Sequence, residues 1–248
     1  MSPRPVTVLG IRIDLAGRDE ILEAIAASMV SRRRLVITPP HFWTLLQARE
    51  EPWLVDFLNA CQINHADGAG VALAIRALTG IRAARVNGTD LYAHLLERMP
   101  PGAVRYFFLG GDDETARILL HNVEAEFFGT GHVHARHGRD PVDDRAAADA
   151  ITAAKPDILL VGMGSPKQFA WIARWKDEID VPVILAVGGG LEFLSGRKRR
   201  APHWMRAIGL EWLHRLLLEP GRLWKRYLLG IPRFVWAVWR ERRSAPTK

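Results

Sequence analysis

Asp157-Ile158-Leu159-Leu160-Val161-Gly162-Met163-Gly164-Ser165-Pro166-Lys167-Gln168 is an apolar run that ends on glycines and passes into an amphipathic stretch reaching Asp177. Four aliphatic residues in a row, with no polar alternation, fit a strand covered on both faces, as in a parallel sheet. The glycines then turn the chain into a helix for which Ser165 is the expected N-cap and Pro166 the first residue. The same unit recurs on both sides. Strands are expected at Leu35–Thr38, Gln62–Ala66, Val104–Leu109, Asp157–Gly162 and Val183–Val187. Helices are expected at Asp19–Ser31, His41–Asn59 with a break at Pro52, Gly70–Leu78, Thr89–Arg98, Glu114–Phe127, Asp143–Ala153 and Pro166–Asp177. Strand and helix in alternation define an α/β fold with a mostly parallel sheet.

In such a sheet ligands gather beyond the carboxyl ends of the strands. The residues there are Thr38-Pro39-Pro40-His41, His65-Ala66-Asp67-Gly68-Ala69-Gly70, Gly110-Gly111-Asp112-Asp113, Gly162 to Gln168, and Gly188-Gly189-Gly190. Glycine lets the backbone approach a ligand closely, and a following helix N-terminus offers free N–H groups to phosphate. One such turn can simply reverse the chain; several together point to a phosphate-bearing ligand. Asp67 follows an apolar strand and precedes a helix, which places it in a cleft. It is either a general base for a bound hydroxyl or the cap of the helix beginning near Gly70. Asp90, in a helix first turn, needs no function to explain it.

Several chemistries are disfavoured. No glycine precedes Lys-Ser or Lys-Thr, so the P-loop is absent, and Gly188–Gly190 lacks the spacing of a dinucleotide fingerprint. His132 and His134 on an expected strand, with His137 beyond, have no carboxylate at ligand spacing and read as surface histidines. Asp112-Asp113 and Asp143-Asp144 are adjacent pairs, not the Asp-X-Asp that many sugar transferases use to hold a metal on a nucleotide diphosphate. No metal and no cofactor is expected. A single cysteine, Cys61, excludes a disulfide framework. Hydrophobic residues at 48% and charged residues at 25% exclude disorder throughout.

The net charge of +7 over 248 residues is uneven. Residues 1–196 hold 20 Lys and Arg against 24 Asp and Glu, while 197–248 hold 14 against 3. With that basic tail sit five of the nine tryptophans: Trp204, Trp212, Trp224, Trp236 and Trp239. On a helical wheel Arg222, Arg226, Arg233 and Arg240 lie opposite Trp224, Leu228, Ile231, Val235 and Val238, in a helix expected to bend at Gly230 and Pro232. Basic charge with interfacial tryptophan fits an anionic membrane surface better than a terminal helix packed on the body. Nucleic acid is not an expected partner, because the acidic body would repel a phosphate track. No uncharged apolar run reaches about 18 residues and the N-terminus has no apolar signal core, so neither a spanning helix nor secretion is expected.

Ala66-Asp67-Gly68, Arg85-Val86-Asn87-Gly88-Thr89-Asp90-Leu91, Gly162 to Gln168, Arg200-Ala201-Pro202 and Gly209-Leu210-Glu211-Trp212-Leu213-His214-Arg215 with Glu219-Pro220 occur in the order found in one family. From about Leu35 to Arg226 the chain resembles the WecG/TagA/CpsF glycosyltransferases of cell-surface polysaccharide synthesis. The resemblance implies a Rossmann-like core and an inverting, metal-independent transfer from a nucleotide-diphosphate sugar to a lipid-linked acceptor. It also implies a basic C-terminal appendage that meets the membrane. It places the catalytic base on Asp67, polar donor-site positions on Thr38, Arg85 and Gln168, and arginines that receive the acceptor diphosphate on Arg215, Arg222 and Arg226. Two positions depart from the family pattern. Pro40 stands where Asn is usual and Phe169 where Glu is usual, so hydrogen bonding to the sugar or acceptor must differ.

The expectation is an α/β, Rossmann-like catalytic domain over 1–196, its mostly parallel sheet covered by helices on both faces. Residues 197–248 follow as an amphipathic, membrane-facing helical appendage. Asp67 would act as base, and Thr38, Arg85, Asn87, Gly88, Gly110, Gly162, Gly164, Lys167, Gln168, Gly188 and Gly189 would bind a UDP-sugar. N-acetylmannosamine, glucose and a uronic acid are all candidate sugars. The acceptor would be a polyprenyl-diphosphate-linked saccharide, and the location the inner, cytoplasmic face of the plasma membrane. The number of subunits stays open, a homo-oligomer included. The rival reading is a non-catalytic assembly adaptor that keeps the fold; retained Asp67 and Arg85 argue against it.

Overall fold

The computed structural model describes residues 5–99, 102–123, 133–136, 144–198 and 200–244. Six strands form one sheet: β3 (Leu35–Thr38), β4 (Ile63–Asn64), β5 (Tyr106–Gly110), β6 (Val133–Arg136), β7 (Ile158–Gly162) and β8 (Val183–Ala186). They lie in the order β4-β3-β8-β7-β5-β6, and every pairing is parallel. All residues of β3, β5 and β8 are buried, because the sheet is covered on both faces and alternation would leave polar groups in a core.

Two cores result. Val36, Phe107, Leu109, Leu159, Val161 and Ile184 pack against α2 (Phe42–Glu50), α3 (Pro52–Ala60), α4 (Gly68–Thr79), α7 (Arg145–Ala154) and α8 (Lys167–Trp175). Their sequence neighbours Leu35, Ile37, Tyr106, Phe108, Leu160 and Leu185 face α1 (Arg18–Ser31), α5 (Gly88–Arg98), α6 (Asp113–Val123) and α9 (Gly190–Leu194). The period-two alternation of side chains along each strand thus sorts one apolar run into two cores.

An element outside the sequence expectation precedes the sheet. β1 (Val6–Val8) and β2 (Ile11–Ile13) form an antiparallel hairpin. Its two turn residues, Leu9 and Gly10, have φ of 50° and 82°, as a two-residue turn of the primed type requires. Val8, Ile11 and Ile13 are fully buried.

Boundaries elsewhere shift for local reasons. The helix expected from Thr89 starts at Gly88, because Asn87 is the cap: its side-chain oxygen accepts the N–H groups of Thr89 and Asp90. The helix expected from Pro166 starts at Lys167, and Ser165 is not its cap; the Ser165 hydroxyl donates to Gln47 at 2.7 Å. Residues 124–127 and Asp143 of the expected helices, together with His132 and His137, lie outside the described residues.

Past the sheet the chain runs through α10 (His203–Ala207), α11 (Glu211–Leu218), α12 (Pro220–Trp224), a π-helical turn (Lys225–Leu229) and α13 (Gly230–Ser244). A bend is expected at Gly230 and Pro232; the structure has a π-helical turn just before them, and α13 continues through both residues. Gly230 sits against Trp43 and Phe42 of α2, where a Cβ would come within 2.9 Å of the indole. The expected apolar stripe is divided. Val238 is buried with Phe234 and Ala237, but Trp224, Leu228 and Val235 are exposed.

Candidate active site

A cleft of about 750 Å³ opens at the carboxyl ends of β3, β4 and β8, roofed by the segment from Ile208 to Arg242. The chain leaves β3 outward to β4 and then returns past β3 to the other half of the sheet, so loops depart in opposite directions and a crevice opens between them.

Asp67 lines this cleft. It holds the N-cap position of α4 with extended backbone angles, yet its side chain caps nothing. The carboxylate accepts one long hydrogen bond, from the Gly88 N–H to Oδ1 at 3.4 Å. Burial pushes its pKa up, the charge of Glu211 adds to this, and Arg215, the Gly88 N–H and Arg226 oppose it. A carboxylate that is not spent on its own helix, and that holds a proton more readily than usual, is suited to receive one.

The neighbours are fixed by the fold. Gly88 touches the Tyr92 ring, where a Cβ would fall 2.9 Å from the phenolic oxygen, and Tyr92 in turn donates to the Ala186 carbonyl at 3.0 Å. Gln168 spends its amide oxygen on the Gly188 N–H at 2.8 Å, which leaves its NH2 as the group it can offer a ligand. Gly164 and Gly188, with φ of 79° and 53°, hold turns that favour glycine. Arg85, in the loop before α5, donates to the Arg206 carbonyl of α10 at 2.8 Å.

The roof supplies the cations. The Arg226 guanidinium lies 2.6 Å from His41 Nε2, Arg222 meets Glu219 at 2.5 Å, and Arg215 lies 3.5 Å from Glu211. His41 is held neutral: burial, then Arg226 and Arg215, press its pKa well below the ordinary histidine value. Three guanidinium groups lining one cleft can hold a diphosphate and offset charge on a departing one.

The cleft gathers Asp67, Arg85, Asn87, Gly88, Gly164, Gln168, Gly188, Gly189, Arg215, Arg222 and Arg226. It does not gather Thr38, Gly110, Gly162 or Lys167. Thr38 is fully buried, its hydroxyl donating to Asn64 Oδ1 between two strand ends. Gly110 and Gly162 are glycines because paired strand ends meet there: a Cβ on Gly110 would strike the Gly162 carbonyl, and one on Gly162 would strike Leu191. Lys167 is exposed, outside the cleft. In the turn after β5, Asp112 caps α6 by accepting the Thr115 N–H, and Arg197 sits on that cap at 2.5 Å.

Cleft residues given no functional role from sequence alone are His41, Glu211 and Ser165, and the ion pair of Arg200 with Asp90 at 2.5 Å was not visible there either. His41 follows a strand end and Glu211 lies in the Gly209–Arg215 motif, so both carried a positional signal; the partners of neither are visible in sequence. Of the two departures, Pro40 is buried, and Phe169 is 1% exposed and packs on Phe57 at 6.0 Å, part of the core under α8. Among the described residues no three His, Cys, Asp or Glu side chains come together as a metal site.

Fold, cleft and basic roof agree with the outcome of comparison with known proteins. Residues 6–248 match the profile of the Glycosyl transferase WecG/TagA/CpsF family, and the chain belongs to that family. It is similar to the N-acetylglucosaminyldiphosphoundecaprenol N-acetyl-beta-D-mannosaminyltransferases of Staphylococcus aureus strains NCTC 8325 / PS 47 and COL. Each is 28% identical over 243 residues, covering 96% of this chain and 94% of the relative.

Proposed function

We propose that the protein is an inverting, metal-independent glycosyltransferase that moves a sugar from a UDP-sugar to a polyprenyl-diphosphate-linked saccharide. It would act at the cytoplasmic face of the plasma membrane, with residues 197–248 as the membrane-facing appendage. The observation that carries this reading is that Asp67, which caps nothing, lines one cleft with Arg215, Arg222 and Arg226. Asp67 takes the proton of the acceptor hydroxyl as its oxygen attacks the anomeric carbon. The bond from that carbon to the UDP oxygen breaks on the opposite side, so configuration inverts. Arginines and backbone N–H groups offset the charge that collects on UDP.

The relatives named above are supporting evidence for a sugar donor and a lipid diphosphate acceptor. The donor sugar is a separate matter, because Phe169 offers the cleft no polar group. N-acetylmannosamine therefore stands beside glucose and a uronic acid as a substrate to be tested.

Membrane contact is supported by exposed apolar and basic side chains between Trp204 and Arg243. Trp204, Ile208, Leu217, Leu218, Leu228, Val235, Trp236 and Trp239 are each about half or more exposed, with Arg233, Arg240 and Arg243 among them. No helix among the described residues is long and apolar enough to cross a membrane, so this surface would lie in the interface. The test is UDP release from a panel of UDP-sugars with membrane lipid extract, in the presence and absence of EDTA. Release with one donor that survives EDTA supports the proposal. No release with any donor overturns the transfer, and a loss restored by Mg²⁺ or Mn²⁺ overturns metal independence.

A further inference from the structure

Two neighbouring residues, Asn87 and Gly88, hold two carboxylates. The Gly88 N–H reaches Asp67, and the Asn87 side-chain NH2 donates to Glu211 Oε2 at 2.9 Å. The Asn87 oxygen is committed to the Thr89 and Asp90 N–H groups, so the amide cannot turn without losing both the cap of α5 and Glu211. Glu211 is thus brought from 124 residues away, on the first residue of α11, to the side of Asp67. Its second oxygen, Oε1, is buried without a hydrogen bond and lies 3.5 Å from Arg215 one turn along the helix.

Placing a second carboxylate in a cleft that already holds one is electrostatically unfavourable unless it does something there. We propose that Glu211 is a positioning residue for the base: it keeps the Arg215 guanidinium along α11, so that this charge does not close on Asp67. The inference rests on the reading of Asp67 as the base of a sugar transfer. An arginine paired directly with Asp67 would stabilise its charged form and weaken it as a base. Glu211 opposes that outcome twice, by occupying Arg215 and by adding its own negative charge, in the direction seen for Asp67. The other groups facing the base are Arg226 from the π turn, Tyr92 from α5 and His41 from the loop before α2. Tyr92 is buried with its pKa well above the usual value and His41 is held neutral, so neither supplies a negative charge in its place.

Glu211→Gln tests this, because the Gln oxygen can still accept from Asn87 while the charge is gone. With a productive donor and acceptor, the acidic limb of the kcat profile should move to lower pH. The plateau should fall by about three- to tenfold, with donor KM within about twofold. An acidic limb that stays in place, or moves up, overturns the proposal whatever happens to the rate. The ionisation of Asp67, followed by carboxyl-carbon NMR in the ligand-free protein, needs no turnover. Its midpoint should be lower in Glu211→Gln than in the unaltered chain, and an equal midpoint overturns the proposal. If the unaltered chain releases UDP with no donor, the transfer reading has failed, yet the NMR midpoint still decides the role of Glu211. Should Glu211→Gln not fold, Glu211→Asp retains the charge and should keep the original midpoint; a fall there overturns the proposal.

Discussion

Asp67 occupies a helix N-cap without capping, and the lost hydrogen bonds are a stability cost accepted at that position. Its raised pKa has a definite sign for stability. The folded chain binds this proton more tightly than the unfolded chain does, so ionising Asp67 costs stability as pH rises through the ordinary carboxylate range. Asp67→Asn should therefore lower turnover by about 10²–10⁴ with saturating substrates. At pH 7 its melting temperature should equal or exceed that of the unaltered chain, and the difference should fade as pH falls below the carboxylate range. Near-normal turnover in this variant would remove Asp67 from the mechanism. A residue that was merely structural would show the reverse pattern, with activity kept and stability lost.

At the level of elements, α13 has two apolar faces, one buried and one exposed. Phe234, Ala237 and Val238 are buried against the body, Phe42 meets Phe234 at 6.0 Å, and Glu241 accepts the Leu9 N–H at 3.0 Å from the hairpin. Gly230 permits this seat, since its backbone angles are ordinary helical ones and the rings of Trp43 and Phe42 leave no room for a side chain. Gly230→Val should cost about 1–3 kcal/mol by overpacking, read from urea unfolding. Trp236→Ser with Trp239→Ser should change stability by only about 0.5 kcal/mol, because both rings are half exposed. The same pair should abolish co-sedimentation with anionic vesicles if this face meets the membrane. Binding by the unaltered chain should fall as salt rises, because each nearby basic residue contributes on the order of 1 kcal/mol and is screened. Deleting the segment would be a poor substitute for these variants, since it removes core residues together with the surface.

For the molecule as a whole, buried histidines are expected to lower stability in acid. His65 is fully buried at the end of β4, and burial presses its pKa down to about 4, with only the Val86 backbone opposing. His41 shifts in the same direction. The unfolded chain binds these protons near pH 6.5 and the folded chain only lower down. Their contribution is therefore complete above about pH 6.5 and is lost as pH falls toward 4. For His65 alone the loss is roughly 3 kcal/mol. Urea midpoints should drop between pH 7 and pH 4.5, and His65→Met should flatten that dependence. A midpoint that is independent of pH in the unaltered chain would contradict this assignment.

Uninterrupted apolar runs such as Ile158–Val161 determined the parallel sheet from sequence alone, because only a strand covered on both faces can bury every side chain. Strand-end glycines and Asp67 located the cleft by the same logic, since ligands collect where strands deliver the chain to helix N-termini. Sequence could not say which glycine faces the cleft and which serves packing. Gly188 faces the cleft while Gly110 makes room for Gly162, a distinction between strands far apart in the chain. Nor could a helical wheel assign the faces of α13: the spacing of apolar residues marks a face as apolar without saying whether α2 or solvent lies beyond it. His41 with Arg226, and Glu211 with Asn87, were hidden for the same reason. Their separations of 185 and 124 residues are closed only by folding, and charge coupling depends on distance in space rather than along the chain.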